Sequence, residues 1–203
     1  MSPLSAFEGK FWPYRIVPGW LGAERAADLL RYAISEEARF QPARVTLSAV
    51  DMLEPRLRRS LVLRDLGSFA DLLKEKALAL QPDLEKSFGM GPTPPTTTQI
   101  ELGAYGDGCF FCPHIDTTTE GQYVPGKSRR LNLVYYLHRQ PRRFEGGRLR
   151  LFDLAEKQTI DVEPEHDSLV AFPSFALHEV QPVSCPGGVF ADNRFSVNML
   201  LSG

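Results

Sequence analysis

His114 and Asp116 place a nitrogen donor and an oxygen donor two residues apart, at the end of the run Tyr105-Gly-Asp-Gly-Cys-Phe-Phe-Cys-Pro-His-Ile-Asp116. On a β-strand, residues two apart leave the same face with backbones roughly 7 Å apart, so both groups can converge on one point. A divalent metal requires that convergence from its protein ligands. An iron site of the two-histidine, one-carboxylate type needs one more imidazole, and the chain holds only four histidines. His138 ends a strand-like run beside the basic turn Arg139 to Arg143 and reads as exposed. His166 sits in the turn Pro164-Glu-His-Asp167. His178 opens the strand-like run His-Glu-Val-Gln-Pro-Val about sixty residues past Asp116, far enough for intervening strands to wrap a barrel and return. His178 is the expected third ligand. Three ligands on one face leave three positions of an octahedral iron open, as oxygen-activating chemistry requires. Zinc is the competing metal, since a hydrolase could use two histidines and an aspartate together with a general base.

Beyond His178 the chain has a single basic residue, Arg194. It begins the run Arg-Phe-Ser-Val-Asn-Met-Leu-Leu, whose alternation puts Arg194, Ser196 and Asn198 on one face and Phe195, Val197 and Met199 on the other. An arginine directed into a barrel is costly unless it meets an anion. A dicarboxylate co-substrate supplies one through a two-pronged guanidinium–carboxylate bond. Tyr136 and Tyr105 could offer hydroxyls to the same acid; the competing reading makes them core aromatics with one hydrogen bond each. Asn132, Asn198 and Tyr123 are the candidate substrate contacts.

These residues need strands to hold them. From Thr96 onward the sequence breaks into about eight short strand candidates: 97–105, 109–116, 131–138, 148–153, 159–162, 168–172, 178–183 and 194–201. The expected fold is mainly β with flanking helices around a jelly-roll core. The first part (1–95) reads as a supporting layer of the same domain as the core (96–203). It opens with a strand over Lys10 to Val17, in which Pro13 favours an edge. Helical spacing follows over Leu21 to Glu36, then short strands over Arg39 to Val50. The stretch Ser48 to Arg59, with Arg56, Arg58 and Arg59, reads as a surface loop, solvated in the simpler interpretation. A helix over Gly67 to Gln81 has Ser68 as its N-cap and is expected to end at Pro82. The Pro/Gly tract after Gly89 reads as a hinge between the helical layer and the sheets.

The 203 residues are 43% hydrophobic and 24% charged, enough for a sizeable core. A net charge of -2 gives no electrostatic footprint for sequence-blind binding to nucleic acid, and no apolar run reaches membrane-spanning length. The first ten residues lack the pattern of a secretory signal. Cys109, Cys112 and Cys185 fit a reducing compartment, and cytoplasmic residence is expected. Cys109-x-x-Cys112 has no second pair to complete a zinc site, so these thiols read as structural.

Taken together, the run Tyr105 to Asp116, Leu133-Val-Tyr-Tyr-Leu, Phe144-Glu-Gly-Gly-Arg-Leu-Arg-Leu-Phe, Val162-Glu-Pro, Leu169-Val-Ala-Phe and His178-Glu-Val-Gln-Pro-Val resemble the prolyl 4-hydroxylase-like oxygenases dependent on 2-oxoglutarate and Fe(II). The resemblance covers Gln99 to Leu201. It implies a double-stranded β-helix flanked by helices, iron held by His114, Asp116 and His178, and 2-oxoglutarate held by Arg194, with Tyr136 on its distal carboxylate and Tyr105 lining the same pocket. O2 is the co-reactant, and ascorbate an expected supporting reductant. Related halogenases replace the carboxylate ligand with a small residue, so Asp116 argues for hydroxylation. The family places its basic residue about ten positions after the last histidine and Arg194 lies about sixteen after His178, an extra loop length that costs little free energy. The loop Thr117 to Lys127 resembles the family's substrate-covering loop. The implied substrate is a prolyl or other amino-acid residue of a peptide or protein, with a free amino acid or small metabolite as the alternative. A nucleic-acid demethylase of this fold would want a second arginine on the last strand, which is missing. A zinc hydrolase and a non-catalytic jelly-roll binding module are the remaining rivals.

Overall fold

A computed structural model describes residues 7–47, 50–94, 97–117 and 128–203. The first part of the chain forms β1 (Arg15–Pro18), α1 (Ala23–Ser35), β2 (Gln41–Pro42), β3 (Val45–Leu47), β4 (Val50–Met52), β5 (Arg58–Arg59), β6 (Leu61–Leu63) and α2 (Phe69–Ser87). Five strands follow: β7 (Thr97–Tyr105), β8 (Phe110–His114), β9 (Arg129–Leu137), β10 (Glu145–Gly146) and β11 (Leu149–Phe152). The last five are β12 (Thr159–Val162), β13 (Ser168–Pro173), β14 (His178–Val180), β15 (Val183–Ser184) and β16 (Arg194–Ser202).

Two antiparallel sheets make the body. The larger runs β1-β13-β9-β16-β7-β6-β2 and the smaller β12-β11-β14-β8-β5. The short pairs β3–β4 and β10–β15 stand beside them. Strand β1 is an edge, where the Pro13 signal pointed, although it begins only at Arg15. Strand β9 shows why the large sheet is buried on both faces. Leu131, Leu133, Tyr135 and Leu137 pack with Leu29 and Ala33 of α1 and Leu73, Ala77 and Leu84 of α2. The alternate residues Val134 and Tyr136 pack instead with Leu149 and Leu151 of β11 in the facing sheet. A strand covered on both sides reads as a near-continuous apolar run, and Leu-Asn-Leu-Val-Tyr-Tyr-Leu is one. The two sheets face each other in the expected jelly-roll arrangement.

Several local expectations change. Helix α2 continues through Pro82 to Ser87. Proline forfeits one backbone hydrogen bond, but the face carrying Leu73, Ala77, Gln81 and Leu84 is buried on both sides of it, and that packing overrides the local break. The stop comes at Gly89, φ +67, where Met90 N–H donates to Glu85 O at 2.8 Å and Gly89 N–H to Lys86 O at 3.3 Å. This pair of reversed bonds closes a helix C-terminus that glycine reaches without strain. Ser68 occupies the N-cap position, yet its side chain makes no capping bond. The tract after Gly89 is a tied connector rather than a hinge: the buried Glu85 accepts from Thr93 N–H at 3.2 Å and Thr93 Oγ1 at 2.7 Å, and Arg130 donates to Gly91 O at 2.7 Å. Strands β4 and β5 arise within the stretch read as a loop, and β6 in one left unassigned. Among the described residues, no helix is long and apolar enough to cross a membrane.

Two buried aspartates fasten the helices and the chain start to the sheets. Asp167 accepts from Leu21 N–H at 3.0 Å and Gly22 N–H at 3.1 Å, which fixes the entry to α1, and from Tyr135 Oη at 2.8 Å. Asp153 accepts from the N–H groups of Gly9, Lys157 and Gln158 at 2.7, 2.7 and 3.1 Å. Burial would raise the Asp153 carboxyl, but those N–H donors outweigh it and hold the group below its ordinary value. A carboxyl depressed in the folded state stabilises the fold above about pH 4, and that contribution is lost as the pH falls through its folded value. Urea midpoints between pH 6 and pH 3 should therefore fall less steeply for Asp153→Asn than for the wild type. Identical slopes would show that these bonds do not favour the charged carboxylate.

Candidate functional site

Strands β8 and β14 lie side by side in the small sheet, and their register puts His114 directly opposite His178. The next pair is Val180 with Phe111, so β8 carries one residue more than its partner. Pro113 falls in this bulge, where its missing N–H costs the ladder nothing. Each imidazole is oriented by the same local device. His114 Nδ1 lies 2.8 Å from Cys112 O and His178 Nδ1 2.9 Å from Ala176 O, in both cases the carbonyl two residues earlier. Donating Nδ1–H to a carbonyl leaves the Nε2 lone pair free to coordinate. Phe111 stacks on His114 at 3.6 Å, and Phe172 meets His178 edge-on at 4.8 Å, which fixes the ring planes.

Asp116 follows on a turn pinned by the large sheet. Its N–H donates to Ser174 O at 2.8 Å, and its carbonyl accepts from Arg129 Nη1 at 3.0 Å. Asn132 Nδ2 donates to Asp116 Oδ2. The carboxylate oxygens stand 3.8 Å from His114 Nε2 and 3.4 Å from His178 Nε2. The donor atoms of His114, Asp116 and His178 all lie within 4.8 Å of one another. Burial and the neighbouring His178 ring push the His114 imidazole down to about 3, so it stays neutral. Burial alone would raise the Asp116 carboxyl; the imidazoles and the Asn132 amide outweigh it and hold the group well below the ordinary range. Two imidazole nitrogen donors and an ionised carboxylate on one side of a cavity make a set that suits a divalent ion with open positions.

The same cavity, about 530 Å³, is also lined by Tyr105, Arg194, Ser196 and Asn198. The alternation of β16 holds: Phe195, Val197 and Met199 pack toward the helices, while Arg194, Ser196 and Asn198 line the cavity. Arg194 is 1% exposed, and its guanidinium lies 4.9 Å from the ring centres of both Tyr105 and Tyr136. Nη1 donates to Ser196 Oγ at 3.3 Å, whereas among the described residues Nε and Nη2 have no partner, and neither does Tyr136 Oη. Burial raises the Tyr136 phenol to about 12, against the pull of Arg194, so it remains a donor. Three buried donors without acceptors are costly. A carboxylate satisfies them together.

Gly147 makes room for this arginine. Its φ is +66, and a Cβ there would stand 2.7 Å from Arg194 Cδ and 2.8 Å from Val183 Cγ2. In the sequence this position shows only as the second glycine of Phe144-Glu-Gly-Gly. Arg58 is also misplaced by sequence reading. It is 8% exposed rather than solvated, with Nη2 on Glu101 Oε1 at 2.8 Å, Nε on Ser60 Oγ at 3.2 Å and its guanidinium over Phe111 at 4.9 Å. His138 is buried as well, packed edge-on to Phe144 and His166, and takes no part in the cluster. Asn132 is engaged with Asp116, while Asn198 lines the cavity. Tyr123, with all but Thr117 of the loop to Lys127, lies outside the described residues. Cys109, Cys112 and Cys185 are free thiols.

Comparison with known proteins places this geometry. The chain is 29% identical over 195 residues to a Synechocystis protein named as an uncharacterized PKHD-type hydroxylase, a match covering 91% of this chain and 61% of that protein's length. Its fold is similar to a prolyl hydroxylase from Trichoplax adhaerens, solved with a hypoxia inducible factor peptide fragment, with TM-score 0.71, 17% identity and coverage of 98% and 86% of the two chains. A Pseudomonas putida prolyl-4-hydroxylase matches with TM-score 0.69 and 19% identity over 98% of this chain and 99% of that one. The family model of the 2OG-Fe(II) oxygenase superfamily matches residues 100–202, the stretch that carries both the His–Asp–His cluster and the buried arginine. The chain belongs to the 2OG-Fe(II) oxygenase superfamily.

Proposed function

We propose that this chain is an Fe(II)- and 2-oxoglutarate-dependent dioxygenase that hydroxylates a C–H bond of a prolyl or other amino-acid residue in a peptide or protein. The observation that carries this reading is one cavity holding both His114, Asp116 and His178 and the buried donors of Arg194, two of them without acceptors. A zinc hydrolase or a binding module has no use for the second set. The prolyl hydroxylase folds among its neighbours and the hydroxylase name of its relative support the substrate class. Residues 1–203 act as one domain in this reading, supported by β1, β2 and β6 joining the same sheet as β7, β9, β13 and β16.

His114, Asp116 and His178 would hold the iron. Arg194 would take the distal carboxylate of 2-oxoglutarate through Nε and Nη2, with Tyr136 Oη as a third donor and Tyr105 as the ring beneath the guanidinium. When bound, iron and 2-oxoglutarate supply the oxidation, with O2 consumed to give succinate, CO2 and a hydroxyl group on the substrate. The chain's own work is positioning and exclusion of water. Asn132 keeps the Asp116 carboxylate turned toward the imidazoles, and a carboxylate there fits hydroxylation rather than halide transfer. Asn198 is retained as a substrate contact, and the free thiols support a reducing compartment such as the cytoplasm.

Asp116→Ala and His178→Ala should each abolish iron-dependent succinate formation, measured by mass spectrometry with and without ascorbate. An undiminished rate in either removes that residue from the metal site. Arg194→Ala should raise the 2-oxoglutarate concentration needed for half-maximal turnover by about two orders of magnitude, since a buried charged hydrogen bond is worth roughly 2–5 kcal/mol. Unaltered 2-oxoglutarate kinetics would reassign the anion-binding role. Gly147→Ala should destabilise the fold by about 1–3 kcal/mol, the cost of a left-handed non-glycine residue, and weaken 2-oxoglutarate binding by displacing Arg194. Urea denaturation and 2-oxoglutarate titration read the two effects separately.

A further inference from the structure

The cavity has a second charged end, which the proposed chemistry leaves unused. On the β16–β7 pair, Arg194 stands opposite Tyr105 and Asn198 opposite Glu101. Four residues along a strand span about 13 Å, well beyond the reach of a five-carbon diacid anchored at Arg194. At the far end Glu101 is paired with Arg58, with side chains 12% and 9% exposed. The register of β6 on β7 sets Leu63 against Leu102, so the next residue, Arg64, comes beside Glu101. Leu61 and Leu63 face the helix-side core, which leaves Arg64 on the opposite face, and it lines the cavity.

Counting charges decides what this end would accept. Iron would be met by Asp116 and one carboxylate of 2-oxoglutarate, the other carboxylate by Arg194, and Arg58 by Glu101. Arg129, which also lines the cavity, donates to Asp116 O and to Gln99 Oε1 at 2.8 Å and has no carboxylate partner among the described residues. Arg64, which lines it too, makes no ion pair or hydrogen bond among the described residues. Among the described residues, two guanidiniums therefore line the cavity without a carboxylate partner, at an end open enough for an entering molecule to reach Arg64. A prolyl ring, being uncharged, offers them nothing.

We infer that the primary substrate carries a carboxylate near the carbon that is oxidised, received by Arg64, with Glu101 keeping Arg58 paired behind it. The inference rests on the oxygenase reading and narrows its substrate class. A guanidinium grips a carboxylate through two parallel N–H···O bonds. The carboxylate belongs either to a chain terminus or free amino acid, or to an acidic side chain of a peptide.

Calorimetric titration of the full chain, loaded with Mn(II) and 2-oxoglutarate, separates these sources. N-acetylproline against N-acetylprolinamide tests the main-chain carboxylate. Acetyl-Asp-Pro-amide against acetyl-Asn-Pro-amide tests the side-chain one. In one pair the acid should bind at least about tenfold tighter than its neutral partner, and the pair that shows it identifies the source. Arg64→Gln, at an exposed position that the core does not need, should reduce that preference to below about threefold. Glu101→Gln should tighten the acid by releasing Arg58. Equal binding of acid and neutral members in both pairs, or a preference unchanged by Arg64→Gln, overturns the inference. Failure of 2-oxoglutarate to bind the Mn(II)-loaded chain overturns the oxygenase reading and this one with it; intact 2-oxoglutarate binding without acid preference removes only the carboxylate site.

Discussion

A guanidinium sealed between two sheets sets the terms for much of this structure. Arg194 is buried to 1% exposure on a central strand, and a buried charge without a counter-ion is severely unfavourable. The fold meets part of that cost itself. Because β16 pairs with β7 on one side and β9 on the other, Tyr105 comes opposite Arg194 and Tyr136 opposite Ser196. Their ring faces take up the guanidinium from both neighbouring strands, as cation–π geometry favours. Gly147 yields the volume that a side chain would fill. Among the described residues no acceptor meets Nε, Nη2 or Tyr136 Oη, an arrangement that an anion would complete.

The His114–Asp116–His178 cluster depends on the other sheet and on a bridge between the two. His114 and His178 come from paired strands of the small sheet, but Asp116 is held by Asn132 and Arg129, at the start of β9, and by Ser174, just past the end of β13. Thr117 and Ser174 share a hydroxyl contact at 2.8 Å, and Ser174 Oγ donates to Arg129 O at 2.6 Å. The carboxylate is therefore positioned by the large sheet and the imidazoles by the small one. Any slip of one sheet on the other would separate the ligands, which ties the cluster to the packing of Val134, Tyr136, Val170 and Phe172 against Leu149 and Leu151.

Period-two spacing made the site legible wherever its parts are local to a strand. His114 and Asp116 announce themselves by separation, although β8 ends at His114 and Asp116 lies on the turn beyond it, and Arg194 by alternation with Phe195 and Val197. His178 emerged because so few histidines compete with it. The failures share a different cause. Arg58 sits in a run of arginines that looks solvated, and only Glu101, forty-three positions away, and Phe111 reveal why it is buried. His138 follows the same logic beneath Phe144 and His166. Pro82 is a local stop signal overruled by a buried face that includes Ala77 and Leu84. Gly147 carries no mark of its contact with Arg194, since a glycine's sequence context does not say which side chain its missing Cβ accommodates.

Net charge misleads for a related reason. A total of -2 gives no footprint for a polyanion, yet it averages over the surface and the cavity. Many of the chain's surface arginines are matched: Arg150 with Asp161, Arg148 and Arg142 with Glu163, Arg39 with Glu36 and Asp65. Cancellation there leaves the cavity's cations as the field that an entering molecule meets. Field lines focus in a cleft with low-dielectric walls, so Arg64 and Arg129 weigh more than the sum of charges suggests. One anion would be claimed by Arg194 deep in the barrel, and a second would be drawn to the opposite end beside Glu101. A substrate bound between them is oriented by that polarity before any contact with its reacting carbon is made.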